Sequence, residues 1–339
     1  MTSDGKVRVG IIGAGGIANQ AHLPSLRDIE AAELVAVCDI VEERARNAAA
    51  RFSVGKTYVL YREMLEREDL DAVFVLTEPD QLFRPTKVCL EAGKHVFMEK
   101  PPGITTFQAQ TLLRAAREAD RILQVGFNRR FNPLVQHVVK LMTERPPVTQ
   151  VEGRFIKHVG AAFSGGSISA FVSDAIHSAD LVLWVAAGTP VAAATVEGQT
   201  EDVVTNRWNA VARFDNGVAG IIQSNYQTGG RVHSLEIHGP RGSAFVNLGF
   251  GDASCSAEIL LHGGEESYSL ASTGPGKVRR TSLDGNELAG SDEFHVCQGF
   301  RGEDEHFIEC ILSGTRPLTD IKQGVRAMEF IDLMLGNRI

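Results

Sequence analysis

Residues 7–127 alternate between short apolar runs and longer stretches in which apolar positions recur at helical spacing. The apolar runs predict strands at 7–12, 33–38, 57–60, 72–77, 95–98 and 122–126. The stretches with helical spacing include 42–52, 81–92 and 106–119. Alternation of strand and helix is typical of parallel strands joined by right-handed crossovers, so the pattern predicts a doubly wound α/β sheet.

Beyond residue 127 the pattern changes to one amphipathic helix, 132–144, followed by segments in which apolar and polar residues alternate. The alternating segments predict strands at 151–156, 209–214, 218–224, 234–238 and 243–248. Turn sequences such as DNG and GPRG separate them, which favours a largely antiparallel sheet. Residues 263–292 predict a long surface excursion, and helical patterns at 304–312 and 321–335 finish the chain.

Length and composition limit the number of domains and the kinds of partner that the chain can have. A chain of 339 residues exceeds what one hydrophobic core usually supports, so we predict two domains, 1–126 and 127–339. The net charge of −8 and the lack of a Lys/Arg-rich run argue against nucleic acid as a partner. The uncharged run 181–196 is short for a membrane span and contains Pro190, so it predicts a buried helix followed by a strand.

The cysteines indicate the compartment. Their number is five, which is odd, and no two stand in a C-x-x-C pair. This pattern predicts reduced thiols in a cytoplasmic protein, with neither a disulfide framework nor a metal site.

The first predicted strand runs directly into the sequence GAGGIA, residues 13–18. Gly13 permits a tight turn, Gly15 lets the backbone approach a pyrophosphate, and Ala18 is small enough for close helix–strand packing. An ordinary strand-to-helix turn can carry the same residues, but the position at the start of an alternating pattern favours a dinucleotide site. The predicted cofactor contacts of the loop are Gly13, Gly15, Gly16, Ile17 and Ala18.

The second predicted strand, ELVAVCD, ends in Asp39. An acidic residue about 20 positions past the glycine loop accepts hydrogen bonds from the adenosine ribose and repels a 2′-phosphate. No arginine follows before Arg44, which favours NAD over NADP. The alternative is that Asp39 caps the next helix, and both roles are compatible.

The stretch HVFMEKPPG, residues 95–103, places a lysine at the end of an apolar strand, directly before two prolines. A surface lysine needs no such fixing, so we predict that Lys100 points at a substrate. Glu99 is expected to orient Lys100 or to border the nicotinamide; the alternative is a solvated neighbour.

The stretch SDAIHSADLVLW, residues 173–184, predicts a helix on which His177 lies where a polar and an apolar face meet. On that helix His177 would lie one turn from Ser173 and near Asp174. A histidine acts as acid or base near neutral pH, as hydride transfer at an alcohol carbon requires. A structural histidine fits the same pattern, and the sequence alone leaves both readings open.

Four motifs resemble those of the Gfo/Idh/MocA oxidoreductases, a family that includes glucose-fructose oxidoreductase and inositol dehydrogenase. They are GAGGIA, EAGKHVFMEKP (91–101), QVGFNRRF (124–131) and HSADLVLW (177–184). The resemblance covers nearly the whole chain. It implies an N-terminal Rossmann domain and a C-terminal α/β domain for substrate binding, with a large, open, mainly antiparallel sheet. In relatives this sheet often forms homodimers or homotetramers.

The resemblance also implies roles for single residues. The lysine of the family's E-K-P motif corresponds to Lys100, which would contact the nicotinamide end and the reacting oxygen; the bond before Pro101 or Pro102 is cis in some relatives. The family's acid/base histidine corresponds to His177. Many relatives carry an aspartate four residues earlier, where this chain has Ser173, and Asp174 is the candidate replacement.

A second departure lies in the segment TEPDQLF, 77–83. Relatives commonly read T-P-N-x-x-H there, whereas this chain has Asp80 and Phe83 at the asparagine and histidine positions. Thr77 and Pro79 remain cofactor candidates, and Phe83 is expected to make the pocket more apolar.

The function expected from the residues and the resemblance is hydride transfer between NAD(P) and a hydroxyl or carbonyl of a sugar, cyclic polyol or sugar derivative. Asn128, Arg129 and Ser173 are candidate substrate contacts, although a guanidinium at a domain junction is often a structural ion pair. Two alternatives stay open: a non-catalytic nucleotide-binding regulator or scaffold, and an NAD-dependent glycoside-cleaving enzyme that recycles its cofactor. A reductase of a keto-sugar differs only in direction.

Overall fold

The structure, a computed structural model, describes residues 5–145, 147–250, 254–262 and 278–339. The chain forms two compact units. Unit 1 comprises Met1–Phe131 and Glu293–Glu329, and unit 2 comprises Asn132–Asp292 and Phe330–Ile339. The predicted boundary after residue 126 lies close to the first division. The single second domain 127–339 differs from this division, because Glu293–Glu329 returns to unit 1.

Unit 1 is built on six parallel strands. They are β1 Val7–Ile12, β2 Ala32–Cys38, β3 Lys56–Tyr58, β4 Ala72–Val75, β5 His95–Glu99 and β6 Leu123–Gly126. The order β3-β2-β1-β4-β5-β6 places the reversal of winding between β1 and β4, where ligands bind beyond the carboxyl ends of the strands. Strand β4 is buried along its whole length, as expected for a parallel strand covered on both faces.

Helices connect the strands of unit 1. They are α1 Leu23–Asp28, α2 Glu42–Phe52, α3 Tyr61–Arg67, α4 Phe83–Glu91 and α5 Thr106–Glu118. A π-helical turn, Ala18–His22, runs directly into α1. Helix α5 begins after Thr105, whose hydroxyl accepts the Gln108 N–H at 3.3 Å and so satisfies one of the unpaired donors of the first turn.

Unit 2 carries an eight-stranded sheet in the order β10-β11-β12-β7-β13-β14-β15-β16, and a separate hairpin of β8 and β9. The strands are β7 Gln150–Ile156, β8 Ala162–Phe163, β9 Ile168–Ser169, β10 Pro190–Gly198, β11 Arg207–Phe214, β12 Ala219–Asn225, β13 Val232–Gly239, β14 Gly242–Leu248, β15 Cys255–His262 and β16 Val278–Asp284. Among the described strands of the large sheet, β12 and β7 are the one pair that runs parallel. The predicted fold class, a doubly wound parallel sheet plus a mainly antiparallel one, is confirmed.

The helices of unit 2 are α6 Pro133–Thr143, α7 Ala170–Ser173, α8 Ile176–Ala186 and α9 Gly285–Ala289. Helix α8 packs on β7 and β12. Gly153 in β7 permits this approach, because a Cβ at that position would lie 2.9 Å from the Cβ of Ser178. The predicted excursion 263–292 is wrong in its second part, which forms β16 and α9; residues 263–277 lie outside the described part of the chain. Strand β16 is largely exposed at the sheet edge, so it lacks the apolar alternation that marks a half-buried strand.

The returning segment of unit 1 contains α10 Phe294–Cys297 and α11 Phe300–Ser313, and α12 Ile321–Gly336 begins in it. Helix α11 buries Phe307 and Ile308 in the hydrophobic core that also contains residues of β1 and β4. This apolar packing explains why the segment belongs to unit 1 rather than to the domain that precedes it in sequence. Among the helices of the described residues, none is long and apolar enough to cross a membrane.

Candidate active site

The glycine loop leaves β1 in a conformation that only glycine adopts readily. Gly13 has φ +98°, and a Cβ there would lie 2.8 Å from the backbone carbonyl of Leu76 at the end of β4. Its N–H donates to the Cys38 carbonyl at 2.8 Å. A Cβ on Gly15, by contrast, would meet no atom within 4 Å. The loop is therefore packed tightly against the sheet at Gly13 and open at Gly15, where a phosphate group could approach the backbone.

Asp39 fastens the glycine loop to the end of β2. Its carboxylate is buried and accepts the Ala14 N–H at Oδ2 and the Val41 N–H at Oδ1, both at 2.8 Å. The second bond goes to Val41, the residue directly before α2, and no side-chain capping bond of α2 occurs among the described residues, so the alternative role of Asp39 as the cap of this helix is not observed. Each carboxylate oxygen has a further lone pair, so these bonds leave Asp39 able to accept a ribose hydroxyl.

A cavity of about 430 Å³ opens beside the loop. Four predicted cofactor residues line it: Gly13, Gly15, Asp39 and Thr77. The Thr77 hydroxyl oxygen is buried and has no hydrogen-bond partner among the described residues, as expected of a group whose partner is a ligand. The glycine backbone, the acidic residue and this hydroxyl together fit a dinucleotide.

Other residues of the cavity wall were only partly anticipated. Phe83 lies in the wall, as does Gln108 of α5, which carried no signal in the sequence. Arg44 also lines the cavity and places a cation within the same wall as Asp39. The remaining predicted cofactor residues lie outside the lining; they are Gly16, Ile17, Ala18, Pro79, Glu99 and Lys100. Of these, Ala18 is fully buried in the core under the loop, as its size permits.

Lys100 directly follows β5, at the carboxyl edge of the sheet. The Lys100–Pro101 peptide bond is cis. The Lys100 N–H donates to Glu99 Oε2 at 3.0 Å, so Glu99 holds the backbone that carries the lysine. Behind this turn Pro102 lies against Gly324, where a Cβ would come within 3.0 Å of the proline ring. The lysine thus emerges from a turn whose backbone is fixed on two sides.

Glu99 belongs to a buried charged cluster that the sequence did not reveal. His22 is fully buried; its Nδ1 lies 2.9 Å from Asp304 Oδ1 and its Nε2 lies 3.3 Å from Glu99 Oε1. Burial disfavours the charged imidazolium, but Asp304 and then Glu99 outweigh it and raise the pKa of His22 to about 9. Burial raises the pKa of Asp304 to about 6, although His22 opposes that shift.

The cluster leads to a pH-dependent stability. The folded chain holds the His22 proton up to about pH 9, whereas the unfolded chain releases it near 6.5. The stabilisation is therefore complete below pH 6.5 and is lost as the pH rises to 9, a change on the order of 3 kcal/mol in the free energy of unfolding. Urea unfolding at several pH values measures this change. The double variant His22→Gln/Asp304→Asn should lose less stability over the same interval; an unchanged pH dependence would contradict the assignment.

The predicted catalytic histidine lies in unit 2. His177 is in the first turn of α8, and its ring is nearly parallel to Phe155 of β7, with centroids 6.5 Å apart. The helix predicted over 173–184 is interrupted: α7 ends at Ser173, and Asp174 adopts a non-helical conformation before α8 begins. The His177 N–H donates to the Asp174 carbonyl at 3.2 Å.

Asp174 has a partner that sequence reasoning missed. Its Oδ2 accepts from Lys157 Nζ at 2.5 Å and from the Tyr226 hydroxyl at 3.4 Å. The Lys157 ammonium also lies 5.4 Å from the centre of the Phe155 ring. Lys157 directly follows β7, and Tyr226 directly follows β12. Because these two neighbouring strands run parallel, both residues lie at the same end of the strand pair, the carboxyl end. The available signal was limited to a lysine and a tyrosine directly after two strands of alternating polarity.

The three candidate substrate residues are largely buried. Asn128 is 3 % exposed and donates through Nδ2 to the Gln298 carbonyl at 2.8 Å, a bond within unit 1. Arg129 is 4 % exposed and Ser173 1 % exposed. Neither Asn128 nor Arg129 lines the cavity beside the glycine loop. Their assignment to substrate stays a prediction, and the bond of Asn128 accounts for its burial without a ligand.

A glycine loop after the first strand, an acidic residue after the second and a lysine after the fifth, on a parallel sheet of this order, define a dinucleotide-binding Rossmann unit. The chain belongs to the Gfo/Idh/MocA oxidoreductases. The family model described as an oxidoreductase family with an NAD-binding Rossmann fold matches residues 7–127, and the family's C-terminal domain model matches residues 157–245. The chain is therefore an oxidoreductase with an NAD(P)-binding fold.

Relatives of known name agree with this membership. Myo-inositol 2-dehydrogenase from Thermotoga maritima is 29% identical over 254 residues, 71% of this chain and 75% of the relative. D-xylose 1-dehydrogenase (NADP(+)) 2 from Haloferax volcanii is 24% identical over 336 residues, 95% of this chain and 94% of the relative. Among solved structures, UDP-N-acetylglucosamine 3-dehydrogenase GnnA from Acidithiobacillus ferrooxidans superposes with a TM-score of 0.82 at 21% identity, covering 98% of this chain and 97% of that one. The last comparison concerns the fold alone.

Proposed function

We propose that the protein is an NAD-dependent dehydrogenase that oxidises a hydroxyl group of a sugar, a cyclic polyol or a sugar derivative. The main support for the proposal is the position of Lys100. It directly follows β5, at the carboxyl ends of the strands where the glycine loop also lies, and its backbone N–H is bound by Glu99. The names of the inositol and xylose dehydrogenases among the relatives support the substrate class.

In the proposed mechanism the bound nicotinamide supplies the hydride acceptor. His177 removes the proton from the substrate hydroxyl as the hydride leaves the same carbon. Lys100 stabilises the negative charge that develops on that oxygen, by its own charge and a hydrogen bond. Asp174 is paired with Lys157, whose ammonium lies over the Phe155 ring that faces His177, so we assign Asp174 to positioning Lys157 rather than to proton transfer.

We propose NAD rather than NADP as the cofactor because a buried carboxylate at Asp39 repels a 2′-phosphate. Replacement of Asp39 by Ala should weaken NAD binding about tenfold, through loss of the ribose hydrogen bonds, and NADP binding much less. Fluorescence titration of both nucleotides measures the effect. Glu42→Ala removes the same charge from the exposed start of α2 and is the matched control. An unchanged ratio of the two affinities in Asp39→Ala would place cofactor selectivity elsewhere.

The function is tested directly by turnover. Purified protein with NAD and a panel of inositols, pyranoses and sugar acids should produce reduced nicotinamide with at least one substrate class. If NAD binds but no substrate of the panel reduces it, the protein is not a dehydrogenase that turns over free NAD with these substrates. This result would instead favour a regulator or an enzyme with an internally recycled cofactor. Faster reaction of a keto-sugar with reduced cofactor would assign the reverse direction.

We also propose that the protein acts in the cytoplasm as a homodimer or homotetramer through the unit 2 sheet. The face of this sheet opposite α6 and α8 exposes Val196, Val211 and Phe245. Val196 and Val211 lie on neighbouring strands of this face, and adjoining exposed apolar side chains support an interaction surface there. Light scattering behind size-exclusion chromatography tests the proposal, and a monomer at micromolar concentration would overturn it.

A further inference from the structure

The buried cluster around His22 has no role in the mechanism above, yet it joins three separate elements of unit 1. His22 ends the turn that follows the glycine loop, Glu99 ends β5, and Asp304 lies in the first half of α11. His22 and Asp304 are fully buried, and Glu99 is 7 % exposed. Three aromatic rings surround the imidazole at centroid distances below 6 Å; they belong to Phe74, Phe97 and Phe300.

The geometry favours a doubly protonated imidazole. Both ring nitrogens face carboxylate oxygens, Nδ1 towards Asp304 and Nε2 towards Glu99. A neutral imidazole donates from one nitrogen only, so two ionised acceptors require both nitrogens to carry protons. A buried carboxylate without a cation is costly, so the imidazolium stabilises both of its partners. Glu303 contributes a third buried carboxyl group within 4.8 Å of the His22 and Glu99 ligand atoms.

We propose that His22 is a positioning residue for Lys100, an inference that rests on the proposed function of that lysine. The imidazolium, held by Asp304, fixes Glu99 through Oε1. Glu99 then presents Oε2 to the Lys100 N–H and so sets the backbone from which the lysine projects. One buried cation thereby connects the end of the glycine-loop turn to the strand end that carries the reactive ammonium.

A change in the charge of His22 would act on the side chains that surround its imidazole. They are the carboxylates of Asp304, Glu99 and Glu303, on α11 and β5, together with the uncharged rings of β4, β5 and α11. The same groups have spacing compatible with a metal ion, but a metal ligand needs a deprotonated nitrogen. With both nitrogens protonated, as proposed, the imidazole has no lone pair for a metal, so this arrangement favours a proton over a metal at this position.

The test uses the full-length protein and three variants. His22→Gln removes the charge but leaves Asp304 buried without a cation, so it can fail to fold. The double variant His22→Gln/Asp304→Asn replaces the charged pair by neutral groups of similar size and keeps the hydrogen-bonding capacity. Ser25→Ala is the control, because it removes a buried hydrogen bond that Ser25 donates to the Ala21 carbonyl, a partner outside the charged cluster.

In the double variant, kcat should fall between about 10-fold and 100-fold, as expected when a reacting group is misplaced by a fraction of an ångström to an ångström. The dissociation constant of NAD should change less than about threefold, because His22 does not line the cofactor cavity. The control should retain the wild-type kcat. A double variant with wild-type kcat, or one in which only NAD binding weakens, would overturn the proposal.

A second measurement does not depend on turnover. In nuclear magnetic resonance spectra, the His22 imidazole should be doubly protonated at pH 8, and the Lys100 amide resonance should shift in the double variant but not in Ser25→Ala. A neutral imidazole at pH 8, an unmoved Lys100 amide, or a stoichiometric metal ion in the purified protein would each overturn the inference. If the wild type turned over no substrate, the proposed function would fail while these spectra still decided the role of His22.

Discussion

Replacing Lys100 by Met should reduce turnover by about 100-fold to 1,000-fold while leaving NAD bound. The side chain keeps its length and loses its charge, so the oxygen that becomes negative in the transition state loses its cation and a hydrogen-bond donor. Removal of one such donor costs about 100-fold to 1,000-fold in kcat, which corresponds to roughly 3–4 kcal/mol. The cofactor cavity is lined by other residues, so the affinity for NAD should remain within about threefold of the wild type.

Stopped-flow measurement of nicotinamide reduction, with fluorescence titration of NAD beside it, separates these two effects. Lys87→Met is the matched control, because it makes the same substitution on the surface of α4, where Lys87 pairs with Glu91. The control should have wild-type kinetics. Near-wild-type turnover in Lys100→Met would remove the lysine from the mechanism and with it the basis of the positioning role assigned to His22.

The parallel sheet of unit 1 was predictable because each of its strands and helices is marked by the pattern of apolar residues within its own segment of sequence. Strands buried on both faces read as continuous apolar runs, and the helix over 42–52 was placed with the bounds that the structure has. Strand β16 was missed because an exposed edge strand needs no apolar alternation. The return of Glu293–Glu329 to unit 1 was missed because it depends on which apolar surface α11 covers, a tertiary choice that helical spacing alone leaves open.

The candidate site divides in the same way. Gly13, Asp39 and Lys100 stand at strand ends, where motif spacing and strand order locate them. His22 and Asp304 form one contact across 282 positions of sequence, and Lys157 contacts Asp174 at the residue directly after α7. Neither contact leaves a periodic signal in the chain. The sequence therefore predicted the residues proposed to bind the cofactor and to act in catalysis, and did not predict the buried residues that contact and position them.

Replacement of His177 by Gln should be the second large loss. Glutamine preserves a polar side chain of similar size but can neither accept nor deliver the substrate proton near neutral pH. Loss of general acid–base catalysis costs about 100-fold to 10,000-fold in kcat. His137→Gln, an exposed position on α6 in the same unit, is the matched control and should be indistinguishable from the wild type. A decrease in kcat of less than tenfold would mean that His177 has a structural rather than a catalytic role.

The double variant Lys100→Met/His177→Gln decides whether the two residues serve one chemical step. If proton removal and charge stabilisation occur in the same transition state, each residue is effective only when the other is present, and their losses are not additive. The double variant should then be at most about tenfold slower than the slower single variant, far from the product of the two losses. Full additivity of the two activation free energies would mean that Lys100 and His177 contribute to the reaction independently of each other, and would contradict the concerted action proposed here.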